Sequence, residues 1–441
     1  MEFLTSIPLI GTLLPFVFVL SIVVAIHEYG HYIVGRWCGI HAEVFSIGFG
    51  KVLWSRVDSR GTRWQIAALP LGGYVKFLGD ADATSRADAA TTAAVRAEDQ
   101  ARSFPHASLL ARALTVVAGP VANFILSAVI FTALAFWVGQ AKEGTEIGAL
   151  VEIPGVESGL QVGDEILAVG GQEVASLGEV FAVELPDAAS VDYLIRRDGD
   201  TLTVPGPMPF PPLVGGVQPY SPAANAGLEE GDVIRAINGE TIWGFNALRE
   251  TVEPSVGQEL DLTVLRGAEE ITLTLVPEEM DSQTADGFEK RVMIGVFGAP
   301  VMSPVTETPG LFTAMGRGVE RVWFVISSSI AGLIGILGGQ VSADNLQGPL
   351  GIADFSRQAA EGGWLQLVSL IGVISTAIGL MNLFPIPVLD GGHLMLYLAE
   401  WLRGKPLPAK AVNFMMTVGM SLLLLLMLFA TYNDIMRQFS S

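Results

Sequence analysis

His27, Glu28 and His31 close a stretch that carries no charge from Phe3 to Ile26. That stretch is long enough to cross a bilayer as a helix. It lacks the basic start and small-residue cleavage site of a removed signal peptide, so it is expected to be retained as a first transmembrane helix. On such a helix His27 and His31, four residues apart, share one face, where two imidazoles can grip one zinc ion. Glu28 is rotated by about 100° and is placed to take a proton from water at the metal. If Arg36 marks the membrane surface, His31 and His27 lie five and nine residues inside it, roughly 8 to 14 Å at about 1.5 Å per residue. Ionisable groups at that depth are costly and are read as functional, with a partner facing inward. The competing reading is a chance match of a short pattern, with merely interfacial histidines. Of the two, the pattern favours a metalloprotease.

Composition supports the membrane setting. Only 16% of the 441 residues are charged and the mean hydropathy is +0.49, which excludes a simple soluble enzyme. A net charge of −20 with no basic cluster argues against a nucleic-acid partner. The lone cysteine, Cys38, permits no internal disulfide.

Beyond the first helix, placed at 1–38, residues 39–78 read as a membrane-associated β loop. Val44 to Phe77 alternates apolar and polar residues, carries Gly48, Gly50, Gly72 and Gly73, and turns at Asp58 to Gly61. A cytoplasmic loop at 79–108 includes an insert rich in Ala, Asp and Thr at 79–100 that cannot bury a core. A second transmembrane helix is expected at 109–141, within which Ala113 to Ala141 is uncharged. Near its start Gly119 allows close helix approach, Pro120 opens a backbone bond and Asn123 is polar at membrane depth. Those three form either a packing notch or a support for the site.

From 142 the chain becomes acidic and strand-forming, and it contains a repeat. Gly159-Leu-Gln-Val-Gly-Asp-Glu-Ile166 recurs 68 positions later as Gly227-Leu-Glu-Glu-Gly-Asp-Val-Ile234. This Gly-Leu-x-x-Gly-Asp-x-Ile pattern resembles PDZ domains, two in tandem at 142–207 and 208–282. The resemblance implies binding of extended chains or C-termini by an added strand.

Three more apolar segments follow, Val322 to Ala343, Gly362 to Leu389 and Ala411 to Asn433. The middle one, in a segment placed at 362–393, ends in Asn382-Leu-Phe-Pro-Ile-Pro-Val-Leu-Asp390-Gly-Gly-His393, where two prolines break the helix just before a carboxylate. A catalytic zinc takes three protein ligands and leaves one position open. Asp390, His393, His41, His106 and Glu43 are the candidates for the third. Taken together, the His-Glu-Tyr-Gly-His helix, Ala-Gly-Pro-Val-Ala-Asn, the PDZ pair and Asn-Leu-Phe-Pro-Ile-Pro-Val-Leu-Asp-Gly-Gly-His resemble the site-2 protease family. The likeness is to its bacterial regulator of sigma-E protease branch and departs from it in the insert. It implies that Asp390 is the third zinc ligand, Glu28 the catalytic glutamate and Asn382 a residue near the reacting centre.

Lys and Arg cluster between Arg36 and Arg112 and again at Arg403, Lys405 and Lys410, so both segments are expected in the cytoplasm, with the N-terminus and the PDZ pair in the periplasm. If 322–343 also crossed, Asp390 would emerge on the face opposite His31. The segment 283–361 is therefore expected to be a linker holding an interfacial or re-entrant helix. A cytoplasmic loop at 394–410 and a last helix at 411–433 complete four transmembrane helices. The expected molecule is a polytopic α-helical protein of the bacterial inner membrane with two periplasmic α+β domains. It would be a zinc endopeptidase cutting single-span membrane proteins, of the anti-sigma factor type or remnant signal peptides. The glycine-rich loop, through Gly48, Gly50, Gly72 and Gly73, would pair with the substrate as an added strand. The rivals are a PDZ-bearing scaffold with a vestigial motif and a zinc-dependent transporter. The first is disfavoured by the intact residue set, the second by the scarcity of polar residues in the remaining spans.

Overall fold

The computed structural model describes residues 8–80, 95–284 and 287–440. Most of the expected insert, at 81–94, and the first residues of the opening apolar stretch lie outside the described residues. The chain divides into two compact units, the first built from Met1–Trp137, Gly310–Leu333 and Asp344–Met436, the second from Val138–Pro309, Ile334–Ala343 and Arg437–Ser441.

Among the described residues are seven long helices: α1 (Pro8–Trp37), α2 (Leu109–Val138), α3 (Leu311–Leu337), α4 (Pro349–Glu361), α5 (Trp364–Asn382), α6 (Asp390–Arg403) and α7 (Ala409–Ser440). Five of them, α1, α2, α3, α5 and α7, are long and apolar enough to cross a bilayer, and the chain is a multi-pass membrane protein. Where no water competes, helices associate by close packing. A Cβ at Gly30 would lie 2.3 Å from the Ala118 carbonyl oxygen, so α1 and α2 touch backbone to backbone. They run antiparallel, Gly35 facing Thr115 and His31 facing Gly119. Helix α5 returns along α2 in the same sense as α1: Trp364 meets Trp137 at 5.1 Å, Gly372 meets Phe131, and Gly379 meets Pro120 and Asn123. Val19, Val23 and Ile371 form the buried core of this trio. A polar seam crosses it, in which Ser127 Oγ lies 3.0 Å from the Asn123 carbonyl and 2.8 Å from that of Gly372, and Ser375 Oγ donates to the Asn123 carbonyl at 3.0 Å.

Strands β1 (Ala42–Val57) and β2 (Arg63–Phe77) follow α1, as the alternation predicts, but each folds back on itself. Phe45 to Ile47 lie beside Val75 to Gly73 and also beside Trp64 to Ile66, while Val52 to Val57 return against Ala67 to Arg63. The fold-back in β1 occurs at Gly48 and Gly50, with φ of +89° and +83°, a conformation that is strained for any residue with a Cβ. Among the described residues the segment Gly73 to Phe77 has a strand neighbour on one side only.

In the second unit the sequence repeat is a structural repeat. Each copy has a four-stranded sheet of the same order: Gln172–Glu173, Glu165–Val169, Val191–Arg197, Asp200–Gly206 in the first, and Glu240–Thr241, Val233–Ile237, Leu260–Arg266, Glu269–Leu275 in the second. The repeated aspartate explains the pattern. Asp164 is 1% exposed and accepts from the Gln161 backbone and from Arg197, which also donates to the Gly159 carbonyl. Asp232 does the same with Glu229, Arg266 and Gly227. The glycine-flanked turn is thus closed by a charge-assisted clamp.

Two departures from the sequence reading stand out. Val296–Gly298 pairs with Val214–Val217, and Met302–Pro304 with Ile147–Leu150, so residues expected in a linker supply strands to both copies. The second copy is inserted before the closing strand of the first. Strands of three residues carry no readable period. The expected loop at 394–410 is helical as far as Arg403. Replacing Asp232 with Ala is expected to destabilise the second copy by about 2 kcal/mol, read as lost amide-exchange protection that is largest around Gly227 to Ile237.

Candidate metal centre

Helix α1 carries His27, Glu28 and His31 without a break, and the two imidazoles stand edge to face with centroids 4.7 Å apart. Their Nε2 atoms are 3.1 Å apart. Asp390 Oδ2 lies 3.2 Å from His27 Nε2 and 3.5 Å from His31 Nε2. Zinc bonds of about 2.0–2.1 Å in a tetrahedron set ligand atoms about 3.3–3.4 Å apart, so the donor set fits zinc. It is the cluster of three or more metal-binding side chains found among the described residues.

Asp390 reaches this point because the chain folds tightly on itself after α5. The helix stops at Asn382, and Ile386 and Leu389 turn back by hydrogen bonds to Phe384 and Ile386. A Cβ at Gly391 would lie 2.2 Å from the Leu383 carbonyl oxygen and one at Gly392 2.3 Å from that of Ile386. Glycine is therefore needed at both positions for α6 to start beneath the turn. Val388, two residues before the carboxylate, has φ +96°, a strained conformation for a β-branched residue.

The second helix finishes the site. A Cβ at Gly119 would lie 2.3 Å from His31 Nε2 and 2.9 Å from His27 Cε1, so residue 119 has to be glycine for the imidazoles to turn inward. Pro120 has no N–H to give the Val116 carbonyl, and in the same turn the Thr115 carbonyl takes the Nδ1 proton of His31 at 2.9 Å. The Asn123 amide lies 3.2 Å from His27 Nδ1 and is fully buried.

A cavity of about 250 Å³ opens on these groups, lined by His27, Glu28, His31, Asn382, Asp390, His393 and residues of the β loop including Gly73, Tyr74 and Val75. A Cβ at Gly73 would come within 3.1 Å of Glu28 Cγ, so this strand lies directly against the glutamate. Gly48, Gly50 and Gly72 do not line the cavity: the first two turn the strand, and the third makes room for the Phe49 ring. Of the alternative third ligands, His393 lines the cavity but is not one of the three clustered donors, and the other three are engaged elsewhere. His41 contacts Arg102, Glu43 pairs with Lys76, and His106 bonds to Ser103. Burial, and then the Arg102 and Arg36 charges, hold His41 below its ordinary pKa. Tyr74, Val75 and Phe49 escaped the sequence reading because only the fold-back of the β loop brings them to the site, and Phe104 because it arrives by stacking on Phe77.

A His-Glu-x-x-His helix joined by a carboxylate from a broken helix, in a multi-pass membrane chain, defines a membrane-embedded metallohydrolase. Residues 15–426 match the model of peptidase family M50. The chain is 36% identical to a relative from Agrobacterium fabrum named as a candidate zinc metalloprotease, over 97% of this chain and 96% of that one. It is 32% identical to Protease RseP of Yersinia pestis, over 97% and 99% of the two chains. A relative from Ralstonia nicotianae, again named as a candidate zinc metalloprotease, is 34% identical over the same shares. The chain belongs to peptidase family M50, the site-2 protease family, and is a zinc metalloprotease.

Gly119→Ala is expected to weaken zinc binding at least tenfold, measured by chelator competition on the purified protein. Gly332→Ala, whose Cβ would meet open space, should leave it unchanged.

Proposed function

We propose that this chain cuts single-span membrane proteins within the bilayer, with zinc held by His27, His31 and Asp390 and with Glu28 as the catalytic base. The carrying observation is the convergence of three ligand atoms within 4.8 Å of one another, on a helix long and apolar enough to span a membrane. Bound there, zinc supplies a Lewis acid that polarises the peptide carbonyl and makes water a competent nucleophile near neutral pH. Glu28 takes the proton from the attacking water at its carboxylate oxygen and passes it to the departing peptide nitrogen. Asn382, on the wall of the same cavity, is suited to hold the scissile carbonyl oxygen through its amide N–H. Gly119, Pro120 and Asn123 support the two histidines.

A helical peptide bond is shielded by its own turns, so the substrate has to be drawn out before the cut. The segment Gly73 to Phe77 has one edge with no neighbouring strand among the described residues, and Gly73, Tyr74 and Val75 line the cavity. An extended substrate adding to that edge runs past Glu28. The two repeated modules are PDZ domains on the periplasmic side, acting as a size filter or as readers of a C-terminus left by an earlier cut. Anti-sigma factors and remnant signal peptides fit as substrates in the bacterial inner membrane.

Four spans, with α3 along the membrane surface, are supported by two contacts. Thr132, which packs on Gly318 of α3, lies 13 residues along α2 from Gly119 at the site, about 20 Å. Asp434, which packs on Gly348, lies 15 residues along α7 from Gly419, which touches Pro387 of the ligand turn, about 22 Å. Both ends of the segment from Gly318 to Gly348 thus lie outward of the site, whereas a span would separate them by about 30 Å across the membrane. A reporter fused near Asn345 is expected in the periplasm, and a cytoplasmic signal would overturn this topology.

Glu28→Gln is expected to lower cleavage of a model transmembrane substrate by about 10²–10⁴-fold while zinc content stays at one per chain. Undiminished cleavage would remove Glu28 from the chemistry.

A further inference from the structure

His27 turns Nε2 toward Asp390 and His31, and Nδ1 toward the Asn123 amide. An imidazole that binds a metal through Nε2 keeps its proton on Nδ1, so whatever faces Nδ1 has to accept a hydrogen bond. An amide offers either its NH2 or its oxygen to the same neighbour, since rotation by 180° exchanges them with almost no change in shape. With Nδ2 toward the ring, two donors oppose each other at 3.2 Å, and Asn123 Oδ1 is buried with no hydrogen-bond partner among the described residues. The reverse orientation puts Oδ1 on the Nδ1 proton and removes the conflict.

We infer that Asn123 is a positioning residue whose side-chain oxygen accepts the Nδ1 proton of His27, fixing the tautomer and ring rotation that present Nε2 to zinc. The inference rests on the zinc site proposed above. His31 has the equivalent partner in the backbone, the Thr115 carbonyl at 2.9 Å from its Nδ1. The two acceptors lie on α2 on either side of Gly119, which leaves room for both rings. Asn123 is itself held. It is fully buried, its carbonyl receives the Ser375 hydroxyl, and Gly379 lets α5 pack against its Cβ. The polar seam between α2 and α5 therefore ends at a metal ligand, and α5 braces the ring from behind.

The test is zinc affinity of the full-length protein in detergent, by chelator competition, for wild type, Asn123→Leu and Asn123→Asp. Asn123→Leu removes the acceptor and is expected to weaken zinc binding about 10–100-fold. Asn123→Asp keeps an oxygen at the same reach and is expected to bind within about threefold of wild type, a rescue that a mere packing role would not produce. Equal affinity of folded Asn123→Leu and wild type overturns the inference and leaves the zinc site standing. So does an Asn123→Asp protein as weak as Asn123→Leu. A wild-type chain that takes up no zinc overturns both. If Asn123→Leu does not fold, the nitrogen NMR resonance of His27 Nδ1 in zinc-loaded wild type and Asn123→Asp decides. A shift toward a stronger hydrogen bond in Asn123→Asp is expected, and an unshifted resonance overturns the inference.

Discussion

Two imidazole nitrogens and a carboxylate oxygen approach one another to 3.1–3.5 Å in this chain, a gathering of lone pairs at the spacing that a shared zinc ion sets. Much of the surrounding architecture follows from meeting that condition inside a membrane. His27 and His31 come from one helix turn, but a third donor has to arrive from elsewhere at the same depth. It does so because α5 is broken after Asn382 and the chain re-enters as α6 with Asp390 in its first turn. The same break leaves Asn382 facing the cavity that Asp390 closes.

Close packing then holds the donors still. Gly30 brings α1 onto α2, Gly119 clears the two rings, and Gly391 and Gly392 let α6 nest beneath the turn that precedes it. Each of these is an approach of less than 3 Å for a hypothetical Cβ, so the positions tolerate no enlargement without displacing a ligand or its support. Polar partners complete the arrangement: the Thr115 carbonyl on His31 and the Asn123 amide beside His27. The β loop contributes a strand packed against Glu28 through Gly73, so Glu28 and that strand share one cavity wall.

Much of this was legible in the sequence, and for local reasons. The His-Glu-x-x-His spacing defines a helix face, and two prolines followed by Asp-Gly-Gly advertise a helix end with a free backbone. The repeated Gly-Asp marked two related modules, though not the arginines that clamp Asp164 and Asp232. What was hidden depends on contacts between distant residues. No pattern marks β1 and β2 as doubling back, so Tyr74 and Val75 could not be assigned to the site. Val296–Gly298 and Met302–Pro304 are too short to show a period, and their pairing with strands some 80 and 150 residues earlier is a property of the fold. Among the third-ligand candidates, spacing alone did not separate Asp390 from His41, His106, Glu43 or His393; the resemblance to the family pointed to Asp390, and the geometry brings it beside the histidines.

The central claim is that Asp390, more than 350 residues from the histidines, completes the zinc centre with His27 and His31. Zinc K-edge X-ray absorption on wild type and Asp390→Cys tests it directly. The account predicts nitrogen and oxygen neighbours near 2.0–2.1 Å in wild type and a new sulfur neighbour near 2.3 Å in Asp390→Cys. Bound zinc with the same nitrogen and oxygen shell in both proteins would contradict it.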